Sequence, residues 1–119
     1  MSETAALFHV EDILLVSIRE DINDTDVLDL QDRLARSVSN TAARGVVIDI
    51  SELEIVDTFV GRILGQLAKT ARLLDAETFV VGMRPAVAMT LVELGMDLPE
   101  MRTALSVTHA MRRLRRVGA

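Results

Sequence analysis

Residues 45–74 read GVVIDISELEIVDTFVGRILGQLAKTARLL, and this stretch decides the fold class. Val46-Val47-Ile48-Asp49-Ile50 has the β-branched density of a strand buried on both faces, as in a sheet with helices packed against it. From Thr58 onward the spacing changes: Val60, Ile63, Leu64, Leu67, Ala71 and Leu74 recur as one stripe, which predicts an amphipathic helix over 58–74. Asp57 stands where its side chain can cap that helix. A buried strand leading within eight residues into a long helix is the unit of an α/β layer fold.

Working outward, Leu7–Val10 and Ile13–Ile18 are short apolar runs separated by Glu11-Asp12, which is hairpin spacing. Val27, Leu30, Leu34 and Val38 predict a helix, with Asp24 and Asp26 at its start and Gly45 after its end. Thr78–Val81 reads as a further strand. Pro85 and Gly95 then bracket a helix, Pro at its first turn and Gly just past its end. Val107 is assigned to a short final strand or turn, followed by a last helix with Ala110, Met111, Leu114 and Val117 on one face. Strands alternating with helices imply an α/β fold with a mixed sheet core packed with α-helices, and 119 residues allow one domain, 1–119. Val47, Ile48, Ile63, Leu67, Val80 and Leu91 are the expected core.

Composition narrows the chemistry. Hydrophobic residues make up 50% but aromatics only 3%, with no Trp or Tyr, so the core is aliphatic and the stacking platforms of single-stranded nucleic-acid binders are missing. Zero Cys excludes thiol chemistry and thiolate metal sites, and two distant His residues make a poor metal set. Residues 1–60 hold 13 acids and 4 bases, a net of −9, whereas residues 61–119 hold 5 acids and 9 bases, a net of +4. The acidic half argues against general DNA binding. Neither G-x-x-x-x-G-K-[ST] nor G-x-G-x-x-G occurs, so no nucleotide cofactor is expected. No uncharged apolar run approaches the eighteen residues of a membrane span, and the acidic start lacks the basic stretch of a signal peptide, so a cytoplasmic location is expected.

Thr58, Gly61, Arg62, Gly65, Lys69 and Arg72 fall on one continuous face of the 58–74 helix. Each glycine weakens the helix by roughly 1 kcal/mol relative to Ala, which points either to close approach by a partner or to packing within the domain. Thr58 is open to two readings, a capping hydroxyl or a phosphoacceptor. Asp49 and Asp57 supply the carboxylate pair of an enzymatic alternative and together would form a negative rim around Thr58. A response-regulator receiver is the competing class, with Asp49 as phosphoacceptor and Glu20-Asp21 as its acidic cluster; Lys69, inside a helix, is misplaced for it. Arg112, Arg113, Arg115 and Arg116 form a basic run opposite the apolar stripe of the last helix and read as a solvated face.

The segment from Gly45 to Phe59, together with Gly82-Met83-Arg84-Pro85-Ala86-Val87-Ala88-Met89-Thr90-Leu91-Val92-Glu93-Leu94-Gly95, resembles STAS domains, the anti-sigma-factor-antagonist family, over about Ile13 to Leu105. Within it the chain looks most similar to the RsbS-like single-domain scaffolds of the bacterial stressosome. The resemblance implies a non-enzymatic regulator that assembles with itself and with RsbR-type scaffold proteins, and that sequesters an RsbT-type serine/threonine kinase. It also implies that the kinase phosphorylates Thr58, that an RsbX-type phosphatase removes the phosphate, and that Asp57, Phe59, Gly61, Arg62 and Gly65 surround the switch as partner-binding positions. Ser is common here in RsbS-like members and Thr in RsbR-type ones. Thr58 therefore leaves an RsbR-like paralogue, or an antagonist that binds an anti-sigma kinase directly, as the alternative.

Overall fold

The computed structural model describes residues 5–20, 22–96 and 101–117, with the side chains of 116 and 117 outside that description. Asp21 of the acidic pair, and the Arg116 and Val117 side chains of the last helix, therefore lie outside the described residues.

Nine elements follow one another among the described residues: β1 (Ala5–Val10), β2 (Ile13–Ile18), α1 (Asp24–Thr41), β3 (Gly45–Asp49), α2 (Thr58–Leu73), β4 (Glu77–Val81), α3 (Pro85–Glu93), β5 (Met101–Ala104) and α4 (Val107–Val117). The strands lie in sequence order, β1-β2-β3-β4-β5. β1 runs antiparallel to β2 through the Glu11-Asp12 turn, with Glu11 at φ 58°, and the other neighbours are parallel. The mixed α/β sheet expected from the sequence is present.

Alternation along the strands divides the core in two. Leu14, Val16, Val46, Ile48 and Val80 meet α1, α2 and α3 on one face, whereas Ile13, Val47, Phe79 and Val81 meet Ala110 and Leu114 of α4 on the other. All six residues expected in the core are buried. Asn23 and Asp26 form a reciprocal capping box at the start of α1. At the end of α3, Met96 N–H donates to Leu91 O (3.1 Å) and Gly95 N–H to Val92 O (3.0 Å), with Gly95 at φ 68°. This is the Schellman closure that Pro85 and Gly95 announce.

Two expectations are corrected. α1 ends on Ala42, which itself takes the left-handed conformation at φ 50°, and Gly45 serves another purpose. A Cβ at Gly45 would sit 2.6 Å from Leu114 Cδ1, so its bare backbone is what lets α4 close on β3. Val107 opens α4, and the final strand is Met101–Ala104 instead. A four-residue edge strand with Arg102 and Thr103 exposed has no β-branched apolar run to reveal it. Among the described residues, no helix is long and apolar enough to cross a membrane.

Candidate functional site

The site is assembled where β3 hands the chain to α2. Asp57 is extended (φ −115°, ψ −176°) and its Oδ1 accepts the Val60 N–H at 3.0 Å, so Asp57 is the cap. Thr58 is the first helical residue and is exposed; its hydroxyl has no hydrogen bond among the described residues. The division of labour settles one of the two readings of Thr58. Its hydroxyl is not consumed by capping, because the preceding residue does that.

The loop between Ile50 and Asp57 is held from below and from both sides. Ile50, Leu53 and Val56 are buried. Asp49 Oδ1 accepts the Ser51 N–H (2.9 Å), Arg84 Nε donates to Ser51 O (3.0 Å), and Glu20 Oε1 accepts the Glu54 N–H (3.1 Å). Arg84 also pairs with Glu54 (3.5 Å) and Arg19 with Glu52 (3.1 Å). Gly82, at φ 74°, passes so close beneath that a Cβ there would lie 2.8 Å from Ser51 Cβ and 2.9 Å from Asp49 Oδ1. A loop with this many fixed points presents Thr58 in one place, and a partner need not order it on binding.

Glu20, Glu52, Glu54 and Asp57 surround the α2 N-terminus, with Arg19 and Arg84 among them. Asp49 is tied to Ser51 above Gly82. Arg62, one turn along from Thr58, is exposed and has no ion-pair partner among the described residues, and the same is true of Lys69 and Arg72. Phe59 is half-buried against the core and separates two shallow clefts. One has Ile55 and Glu20 in its wall, the other Leu28, Arg62 and Gln66. Ile55 and Leu28 are 81% and 69% exposed. Sequence reasoning passed over both, although an Ile amid the polar loop residues is a readable signal.

The two glycines part company. Gly65 is half-buried, whereas Gly61 is buried, and a Cβ on it would collide with Met96 Sδ and lie 3.4 Å from Leu91 Cδ2. Gly61 is thus a packing residue beneath the end of α3, not a place where a partner's backbone approaches. The exposed face retains Thr58, Arg62, Lys69 and Arg72.

The receiver reading does not survive the topology. Receiver domains carry a parallel doubly wound sheet of order 2-1-3-4-5. Here the order is sequential and β1 is antiparallel. Among the described residues no three His, Cys, Asp or Glu side chains gather in a way that could hold a metal ion.

The family model described as the STAS domain matches residues 5–110. A serine-to-glutamate variant of RsbS from Moorella thermoacetica is 37% identical, with a TM-score of 0.84, over 95% of this chain and 98% of that one. A chain from a structure describing the molecular architecture of the stressosome, a signal integration and transduction hub, is also 37% identical, with a TM-score of 0.83 and the same coverage. The RsbT co-antagonist protein RsbRA of Bacillus subtilis (strain 168) is 34% identical over 74 residues, 62% of this chain and 27% of that protein. The match therefore spans about a quarter of that relative's length.

Proposed function

We propose that this chain, which belongs to the STAS domain family, is a non-enzymatic scaffold of a stressosome-type assembly in the bacterial stress response. It holds a serine/threonine kinase of the RsbT type and releases it when phosphorylated at Thr58. RsbR-type proteins are its co-assembling partners, and an RsbX-type phosphatase resets it. One observation carries the reading: Thr58 offers a hydroxyl that is exposed, relieved of capping by Asp57, and mounted on a fixed loop. The likeness to RsbS over nearly the whole chain supports the scaffold role, and the likeness to RsbRA supports the RsbT-type kinase. Asp49 and Asp57, which would carry an enzymatic reading, are both engaged in holding backbone N–H groups.

The physics of the switch follows from its position. Phosphorylation adds about −1.5 to −2 charges at pH 7 and three acceptor oxygens. At the first residue of α2, the helix dipole and the unpaired first-turn N–H groups accommodate an anion, so the fold survives. Arg62, free and one turn away, is placed to pair with it. Asp57, Glu54 and Glu20 oppose it, so a surface that is already acidic becomes more so. A kinase docked there through the two clefts flanking Phe59 loses complementarity by about 1 to 3 kcal/mol, or roughly 5- to 150-fold in affinity.

The test is incubation with the kinase and ATP, mapping of the modified residue, and comparison of kinase retention before and after. Thr58→Ala is expected to hold the kinase permanently, and Thr58→Asp to release it partly, one carboxylate carrying less charge than a phosphate. Phosphate on another residue alone, or equal retention by both states, refutes the switch. Thr58 and the RsbRA likeness favour one second reading, an RsbR-like paralogue or a direct antagonist of an anti-sigma kinase. It predicts the same modified residue with a different retained partner.

A further inference from the structure

α3 reads PAVAMTLVE, and Glu93 is its only charged residue. Val87 and Leu91 on its inner side are buried in the larger core, yet Met89 and Val92 are 64% and 79% exposed. A helix that is apolar nearly all round is ordinarily covered on more than one side. Leu105, in the turn between β5 and α4, is 86% exposed. With Met83 and Ala88 it lines the apolar side of a groove of about 410 Å³ that runs along Thr103 and Ala104 of β5. Apolar surface left open beside a groove marks a place where something binds.

The α4 side of the groove is polar and cationic. His109 and Arg113, one turn apart, line it. Ser106 Oγ lies 2.8 Å from His109 Nδ1 and accepts the His109 N–H at 3.2 Å, which fixes the first turn of α4. Arg113 is fixed too: its Nη1 donates to Thr103 O (3.0 Å), and its guanidinium lies over the Phe79 ring, 5.0 Å from the centroid. A guanidinium has five N–H donors, so most of them remain for an acceptor from outside. Arg112 adjoins it, exposed and without an ion-pair partner among the described residues. No acidic residue lines the groove among the described residues.

We propose that this groove receives an acidic amphipathic helix of a partner protein, its apolar side chains seated on Met83, Ala88 and Leu105 and its carboxylates facing Arg112 and Arg113. One wall is apolar and the other cationic, and the two faces of such a helix match them, with anchors spaced i, i+3 or i+4, and i+7. The edge strand decides against an added strand: β5 is four residues long, and its Thr103 carbonyl is already taken by Arg113. A concave groove also fits a cylinder better than it fits the plane of a lipid surface. Met83 and Met89 adapt to whichever apolar residues arrive, and an Arg113 held in advance lowers the ordering cost of binding. Thr58 does not line this groove, so the inference goes beyond the kinase switch and each can fail without the other.

The probe is a fluorescein-labelled helical peptide of about 14 residues, or four turns, with Leu along one face and Glu on its flanks. Its partner probe carries Lys in place of every Glu. Anisotropy titrations of the full chain are expected to show the acidic peptide binding about tenfold or more tightly than the basic one, with affinity falling as salt is raised. Leu105→Glu and Arg112→Glu, both at exposed positions, should each weaken the acidic peptide about tenfold with an unchanged circular dichroism spectrum. Leu73→Glu, equally exposed at the end of α2, should leave it unchanged. Amide shifts on adding the peptide should gather on residues 88–92 and 103–109. Absence of saturable binding, equal affinity for the two peptides, losses as large in Leu73→Glu as in Leu105→Glu, or shifts centred elsewhere overturns the proposal. So does recruitment to phosphatidylglycerol vesicles, or assembly of the chain with itself, that Leu105→Glu abolishes, since either names a different occupant.

Discussion

The inner and outer faces of α2 share sixteen residues of backbone and almost nothing else. Gly61, Ile63, Leu64, Leu67, Ala68 and Ala71 are buried, packed among the sheet, α1 and α3, while Thr58, Arg62, Lys69 and Arg72 are exposed without an ion pair among the described residues. Burial makes the inner face a determinant of stability and leaves the outer face free to change without loss of fold. Stability and the proposed recognition are therefore separable on one helix. A variant that moved both together would show that the division is wrong.

Leu67→Ala should have the largest effect. It removes fully buried methyl groups between the helix and the sheet and should cost about 2–5 kcal/mol, read from the midpoint of a urea titration. A cost below 1 kcal/mol would mean that the inner face can collapse around the gap. Gly61→Val comes next, at about 1–3 kcal/mol, because the new side chain must displace Met96 and crowd Leu91. The displaced Met96 atoms are the mobile end of a side chain, which keeps the cost below that of a clash with backbone. If Gly61→Val folded normally but lost partner binding, Gly61 would belong to the outer face after all.

Asp57→Ala sits on the border between the faces. Losing the bond to Val60 N–H should cost about 0.5–2 kcal/mol and fray the turn that presents Thr58, so thermal stability and the rate of Thr58 phosphorylation should fall together. Arg62→Ala should change stability by less than about 0.5 kcal/mol, the scale of an exposed substitution. Its expected signature is that the phosphorylated and unphosphorylated forms differ more in stability than in the wild type, since the phosphate loses its nearest free cation. Identical melting differences in the two backgrounds would remove Arg62 from the switch.

Much of this molecule was determined locally. The β-branched run at 46–50, the helical stripe from Val60 to Ala71, the Asp57 cap and the Pro85 to Gly95 bracket each follow from neighbours within a few residues. Backbone preference and burial periodicity are already complete at that range. The exposed Thr58 was legible for the same reason, since it stands one residue after its cap. Tertiary structure alone decided the rest. Gly61 and Gly65 are four residues apart and indistinguishable by spacing, yet only Gly61 lies beneath Met96, a residue 35 positions away. Glu20 holding Glu54, and Arg84 holding Ser51, join segments more than thirty residues apart, and no local pattern encodes which distant partner a side chain will meet. β5 escaped notice because an edge strand needs apolar residues on only one side and takes its shape from β4. The hydrogen bond from Arg113 back to Thr103 O, ten residues earlier, likewise exists only once the chain is folded.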